Sequence, residues 1–371
     1  MPIEITLPMP DDWHVHLRDG DMLEAVRPFT ECQFRNFLPM PNLTPPLTDA
    51  VDVSLYREQI AGSGYGQSVL AGRIHPTLYL TSRTTPRVVE EVAAYIRAAK
   101  YYPHGGTTNS GSGLSSPQDL DYNVLRTMEA LGIVLCVHAE LTPDVEPDDL
   151  KREFGFIPHL EWLVMNYPDL KIVVEHVSDH RMLQAVLDMP ANVAATITAH
   201  HPFLTHEMAV RDSHCLCMPV AKTASDRDAL AHIILGAHLW PGKIFFGSDS
   251  APHAQVKKLG GAPAFGAWTS PVAIPVLWNH FDVMGDRHKW EAFVAFTCSN
   301  GAAFYGIESD RPRPQMTLVR ERWQVPEVWP IGRHDRTDAS NPEQVLVPWK
   351  AGEVLDWRVD SMRWFGEVYE D

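Results

Sequence analysis

The sequence predicts an α/β fold, a closed (β/α)8 barrel of the TIM type. Three observations predict it: eight short apolar runs, helical periodicity between them, and chemically active side chains gathered at the ends of the runs. The runs cover residues 13–17, 35–40, 75–80, 98–102, 134–138, 172–177, 193–197 and 243–247. They are nearly continuous in apolar residues, as strands buried on both faces are, and such strands form parallel sheets covered by helices. Helices are expected over 48–60, 86–98, 117–130, 178–188 and 225–237. Several of these open on Ser, Thr or Asp, which cap free N–H groups, or on Pro, which has none to satisfy. An open doubly wound sheet is the structural alternative, but no glycine-rich phosphate turn follows the first strand. With no internal repeat, low-complexity segment or linker, residues 1–371 are expected to form one barrel domain. The tail from about 306, Pro-rich between 308 and 348, is expected to wrap it as an extension.

A chain of 371 residues with 45% hydrophobic content can bury a large core. Its net charge of -16 and the lack of a basic stripe argue against a nucleic-acid partner. The same field repels anionic small molecules, so an acidic substrate needs local positive charge at its site. No apolar run approaches a membrane span, and MPIEITLPMP lacks the regions of a signal peptide, so a cytoplasmic protein with no membrane partner is expected. The five cysteines, at 32, 136, 215, 217 and 298, form no CxxC pair and read as reduced thiols. Cys215 and Cys217, two apart, give little basis for a thiolate metal site.

The run DWHVHLR, residues 12–18, places two imidazoles on one strand. Side chains alternate along a strand, so His14 and His16 point one way while Val15 and Leu17 point the other. Two neutral imidazoles aimed at one point are half of a metal site, although alone the pair is equally well explained as structural. Barrel active sites lie at the C-terminal ends of the strands. There the sequence places His14, His16 and Arg18 on the first strand, Asn42 on the second and Lys100 on the fourth. His138 and Glu140 follow on the fifth, Glu175 and His176 on the sixth, and Asp249 and His253 on the eighth. Four histidines, a lysine and an aspartate therefore converge on one mouth as a metal site. His104, His159, His180, His206, His214 and His288 fall in loops or helices, where solvated or capping roles suffice. His200 and His201 follow the seventh strand and are expected to be structural or to stand behind the site.

Imidazoles and a carboxylate without thiolates suit zinc or another late divalent metal, and six groups exceed the set around one catalytic ion, so two ions are expected. An ammonium at Lys100 would be repelled by them. Reaction with carbon dioxide converts the amine to an anionic carbamate with two oxygens that can bridge two cations. Two such ions per subunit, Zn2+ or another late divalent metal, and a CO2-derived carbamate on Lys100 (N6-carboxylysine) are therefore expected.

The longer words DDWHVHLRDGDML, MPNLTPP, AAKYYPHGGTTNSGSG, VHAELT, VVEHVSD, AATITAHH and GSDSAPHA narrow this further. The chain resembles the single-chain (class II) dihydroorotases of the amidohydrolase superfamily, from about residue 11 to 306, with an echo near 346–357. The resemblance implies that His14, His16, the Lys100 carbamate and Asp249 hold one zinc, and that the carbamate, His138 and His176 hold the other. It places Arg18, Asn42 and His253 on the substrate carboxylate and backbone groups of Met218 and Ala262 on the ring amide. Thr107 and Thr108 fall in a lid loop over 105–113. Met218 stands where Leu is commoner, and 255–265 is shorter than in some members. The implied reaction is the reversible cyclisation of N-carbamoyl-L-aspartate to L-dihydroorotate and water in de novo pyrimidine (UMP) biosynthesis. A bridging hydroxide would attack the ring carbonyl, with Asp249 as general acid/base, in a homodimer. The alternatives are another cyclic amidohydrolase (hydantoinase, dihydropyrimidinase or allantoinase), in which Arg18 and Asn42 would go unpaired, and a non-catalytic barrel scaffold. Arg18 could also form a rim salt bridge with Asp19 or Asp21.

Overall fold

The computed structural model describes residues 3–62, 72–307, 312–331 and 341–362. After an N-terminal strand β1 (Ile3–Pro8), all eight expected barrel strands are present. They are β2 (Asp12–Val15), β3 (Phe37–Pro39), β4 (Thr77–Tyr79), β5 (Ala98–Tyr101), β6 (Val134–Val137), β7 (Ile172–Val174), β8 (Val193–Ile197) and β9 (Ile244–Phe246). Strands β4 to β9 form one parallel sheet in chain order and β2 pairs in parallel with β3. Parallel bridges from Phe37 to Ile74 and from Val15 to Ser250 close the ring.

The strands are shorter than the apolar runs. Run 172–177 pairs only as Ile172–Val174, because the chain turns into the barrel mouth at His176, where φ is 45°. Helices open on side-chain caps one or two residues from the expected starts at 48 and 225: Asp49 accepts from the N–H groups of Val51 and Asp52, and Thr223 and Asp226 form a capping box on the helix Ala224–Leu235. Two expectations were too long. The helix from Pro86 stops at Val92, since Ala98 already begins β5. Segment 117–130 splits into a short turn, Pro117–Asp119, and a helix, Tyr122–Leu131, because Asp121 caps the second piece by accepting from Asn123 N–H.

The period of two along each strand sorts the core into two layers. Leu135, Val137, Ile172 and Val174 face the surrounding helices. Leu38, Ala98, Val134, Cys136, Val173 and Phe245 face the barrel axis. Ala98 and Val134 are the first residues of their strands, so this inner layer lies at the N-terminal end, where Ala302, Phe304 and Tyr305 plug it. The Tyr305 ring stacks on Trp13 at 4.6 Å, and Lys171 Nζ donates to the Phe304 carbonyl at 2.7 Å. The polar mouth thus stands on a dry apolar floor.

The expected C-terminal wrap is built of strands where it is described. β10 (Gln315–Gln324) lies antiparallel between β1 and β13 (Val354–Val359), and β11 (Trp329–Pro330) pairs with β12 (Val345–Leu346). Alternation of apolar and polar residues in IEITL, 3–7, and in VLDWRV, 354–359, was the overlooked signal. Residues 308–311, 332–340 and 363–371 of the expected wrap lie outside the described residues.

Gly301 shows how tightly the floor is packed: a Cβ there would lie 2.1 Å from the Trp13 Nε1. Gly301→Ala should lower stability by about 1–3 kcal/mol, read as a lower urea midpoint with an unchanged slope.

Candidate active site

The structure brings all six predicted ligand residues to the C-terminal mouth. The Asp249 Oδ1 lies 3.4 Å from His14 Nε2 and 3.2 Å from His16 Nε2. Ring centroids step round the site from His16 to His14 (5.3 Å), from His14 to His176 (4.9 Å) and from His176 to His138 (4.7 Å). Lys100 is fully buried on β5, its Nζ 5.3 Å from the centre of the Tyr102 ring. Lys100 and His138 continue the inward period of Ala98 on β5 and of Val134 and Cys136 on β6. His176 is out of phase with Val173 and is turned inward by its left-handed backbone. Arg18 (φ 59°) and Asp249 (φ 44°) share that conformation, which costs about 1–2 kcal/mol for a residue with a Cβ and is held only where the surroundings enforce it. At Asp249 the backbone N–H donates to the His14 carbonyl at 2.8 Å; at His176 it donates to Thr196 Oγ1 at 2.7 Å.

Carboxylates stand behind the imidazoles. Glu175 Oε2 pairs with His14 Nδ1 at 2.8 Å and accepts from Thr196 Oγ1 at 2.6 Å, while Glu140 Oε2 pairs with His138 Nε2 at 2.7 Å. Such contacts fix ring orientation and leave the other nitrogen for a metal. His14 Nε2, His176 Nδ1 and Lys100 Nζ are buried with no hydrogen-bond partner among the described residues. Burial pushes the His14 imidazole down to about 4 and holds His16 and His176 well below the ordinary value, so all three are in the neutral, ligating form. Burial also lowers the Lys100 amine, favouring the neutral nucleophile that carbon dioxide requires. The orphaned nitrogens and the donor set fit divalent ions.

Next to this cluster, Arg18 Nε donates to the Pro252 carbonyl at 3.1 Å, and Nη2 lies 3.1 Å from His253 Nε2. Arg18 makes no ion pair among the described residues, so the rim salt bridge with Asp19 or Asp21 is not formed. Asn42 Nδ2 donates to the Thr108 carbonyl at 3.0 Å, and Asn109 Nδ2 donates back to the Asn42 carbonyl at 2.9 Å. Thr108 Oγ1 donates to the Phe265 carbonyl at 3.0 Å, folding loop 105–113 over the mouth. Thr107 and Met218 line the same pocket.

Ala262 does not. It is exposed, and the Phe265 carbonyl and Gly266 stand at the mouth instead. The helix Gln255–Leu259 and the exposed turn after it use up chain, so the segment returns to the mouth three residues later. Gly266 was the available signal: its φ is +142°, and a Cβ would lie 2.6 Å from the Ala251 carbonyl. The roles of Glu140 and Glu175 were also missed, although each lies within two residues of a histidine of the cluster. His200, His201 and Cys217 cluster behind the site. Both His201 nitrogens have ordinary contacts, Thr198 Oγ1 at 3.0 Å and the Pro219 carbonyl at 3.1 Å, whereas both His200 nitrogens are buried with no hydrogen-bond partner among the described residues.

A closed parallel barrel with this mouth defines a metal-dependent hydrolase of the amidohydrolase superfamily. No protein-family model matches the chain. The dihydroorotase of Azoarcus sp. strain BH72 is 39% identical over 362 residues, 96% of this chain and 99% of that protein. The crystal structure of Saccharomyces cerevisiae dihydroorotase in complex with 5-fluoroorotic acid superposes with a TM-score of 0.84 at 30% identity, covering 96% and 98% of the two chains. The Arthrobacter aurescens L-hydantoinase shares the fold, with a TM-score of 0.70 at 16% identity over 96% of this chain and 83% of that one. The chain belongs to the dihydroorotase family. Among the described residues no helix is long and apolar enough to cross a membrane, and all five cysteines are free.

Glu140→Ala should weaken metal retention by about 10- to 100-fold, because the His138 ring loses its orienting acceptor. Metal content after dialysis against graded chelator measures this.

Proposed function

We propose that this chain interconverts N-carbamoyl-L-aspartate with L-dihydroorotate and water in pyrimidine biosynthesis, as a single-domain cytoplasmic protein and a homodimer. Arg18 carries the proposal. A half-buried guanidinium beside a hydrolytic centre, with no carboxylate partner among the described residues, is poised for the acid of a substrate. A neutral ring would leave it unpaired, which disfavours hydantoinase or dihydropyrimidinase activity. The yeast relative crystallised with 5-fluoroorotic acid, itself a pyrimidine acid, supports the same choice.

His14, His16, carbamylated Lys100 and Asp249 would hold one zinc, and the carbamate, His138 and His176 the second. Bound there, the ions would supply Lewis acidity and lower the pKa of water to about 7. Arg18, Asn42 and His253 orient the substrate carboxylate, and the backbone at Met218 meets the ring amide. In hydrolysis the Asp249 carboxylate takes a proton from the attacking water and delivers it to the leaving ring nitrogen. In ring closure it takes the proton from the attacking nitrogen. Thr107 and Thr108 close the pocket against bulk water.

Turnover of dihydroorotate, dihydrouracil and hydantoin, with metal analysis of the same sample, tests the assignment. Faster cleavage of dihydrouracil than of dihydroorotate would overturn it. Arg18→Met should raise KM for dihydroorotate by about 100-fold, while dihydrouracil turnover stays unchanged. Asp249→Asn should lower kcat by at least about 100-fold.

A further inference from the structure

Behind the pocket wall lies Lys258, a buried lysine that makes no ion pair among the described residues. Its Nζ donates to three carbonyls: Leu216 at 3.1 Å, Ala264 at 2.9 Å and Gly266 at 2.8 Å. An ammonium has three N–H groups, and all three are used. Two of the acceptors flank Phe265. Lys258 takes the carbonyls of 264 and 266 on the side where Leu216 O receives the Gly266 N–H, and across the trans peptide the carbonyl of 265 points opposite to that N–H, away from the lysine. That carbonyl reaches into the mouth, where it accepts from Thr108 Oγ1 at 3.0 Å and contacts His253 Nε2 at 2.9 Å. Leu216 O also accepts from the Gly266 N–H at 2.8 Å, which ties the segment to the stretch carrying Met218.

We infer that Lys258 is a positioning residue for lid closure and acid recognition: it holds the Phe265 carbonyl as the latch for Thr108 and as the rest for His253 beside Arg18. The Lys258 side chain does not line the pocket and reaches it only through the backbone of this segment. The kinetic half of the inference rests on the dihydroorotase assignment, while the latch half does not.

The test uses the full-length, metal-loaded protein as Lys258→Met, Thr108→Val and the double variant. The first readout is amide hydrogen exchange across residues 105–113, with the barrel strands as internal reference. Each single variant should speed lid exchange by about tenfold, the loss of one hydrogen bond's worth of closure, and the double variant should be no faster than Lys258→Met alone. The second readout is kinetic: KM for dihydroorotate should rise about tenfold in Lys258→Met, with kcat within about threefold and metal content unchanged. Effects of the two substitutions that multiply, or lid exchange unchanged in Lys258→Met, would overturn the inference. If Lys258→Met does not fold, Lys258→Gln keeps two N–H donors and carries the same cycle. A wild-type protein inactive on dihydroorotate would sink the functional assignment, and lid exchange would still decide the latch.

Discussion

The Glu175 carboxylate is the contact on which the rest of the site depends. It sits at the end of β7 in phase with Val173, fully buried, and its Oε2 meets His14 Nδ1 and Thr196 Oγ1. The partner Thr196 receives the backbone N–H of His176, so one carboxylate orients an imidazole from the first barrel strand and, through a hydroxyl, the backbone of a histidine from the sixth. A buried carboxylate oxygen needs good donors, and the two partners of Oε2 are those that aim the imidazoles. The imidazole cluster is therefore held from behind by buried polar groups.

Beneath this layer the barrel is apolar. Ala98, Val134, Cys136, Val173 and Phe245 close over the plug of Phe304 and Tyr305. Water has no path to the mouth from below, so the neutral imidazoles and the Lys100 amine are desolvated from one side and addressed from the other. The same dryness makes backbone strain tolerable at Arg18, His176 and Asp249. His176 and Asp249 are fixed by hydrogen bonds to neighbouring strands and the Arg18 carbonyl by the Tyr56 hydroxyl, and each side chain is turned into the barrel.

Much of this was legible in the sequence. The eight strands, the inward pair His14 and His16, and the placement of Lys100, His138 and Asp249 at strand ends all follow from period-two patterning and barrel geometry. His176 was identified by its place in the chain, not by phase; phase alone would have pointed it at the helices. Helix ends were read less well where a cap lay inside an apolar run, as at Asp121. The strands β1, β10 and β13 were passed over because they pair with one another across the whole length of the chain, and such pairing leaves only weak local alternation. Ala262 was misplaced because a backbone contact has no residue signature: any side chain can hang from a carbonyl that does the binding.

That last point explains the division of labour at the mouth. The metal end is written in side chains, whose chemistry cannot be supplied by the main chain, and sequence patterns find it. The lid end is built from main-chain carbonyls of Phe265, Thr108 and Asn42. Carbonyls are held by what lies behind them, and here that is a buried lysine with three acceptors and no acid among the described residues. A buried cation is costly unless its surroundings replace water, and three aligned carbonyl dipoles do so. The Phe265 carbonyl meets both Thr108 Oγ1 and His253 Nε2, and His253 stands beside Arg18, so loop 105–113 and the guanidinium share one peptide.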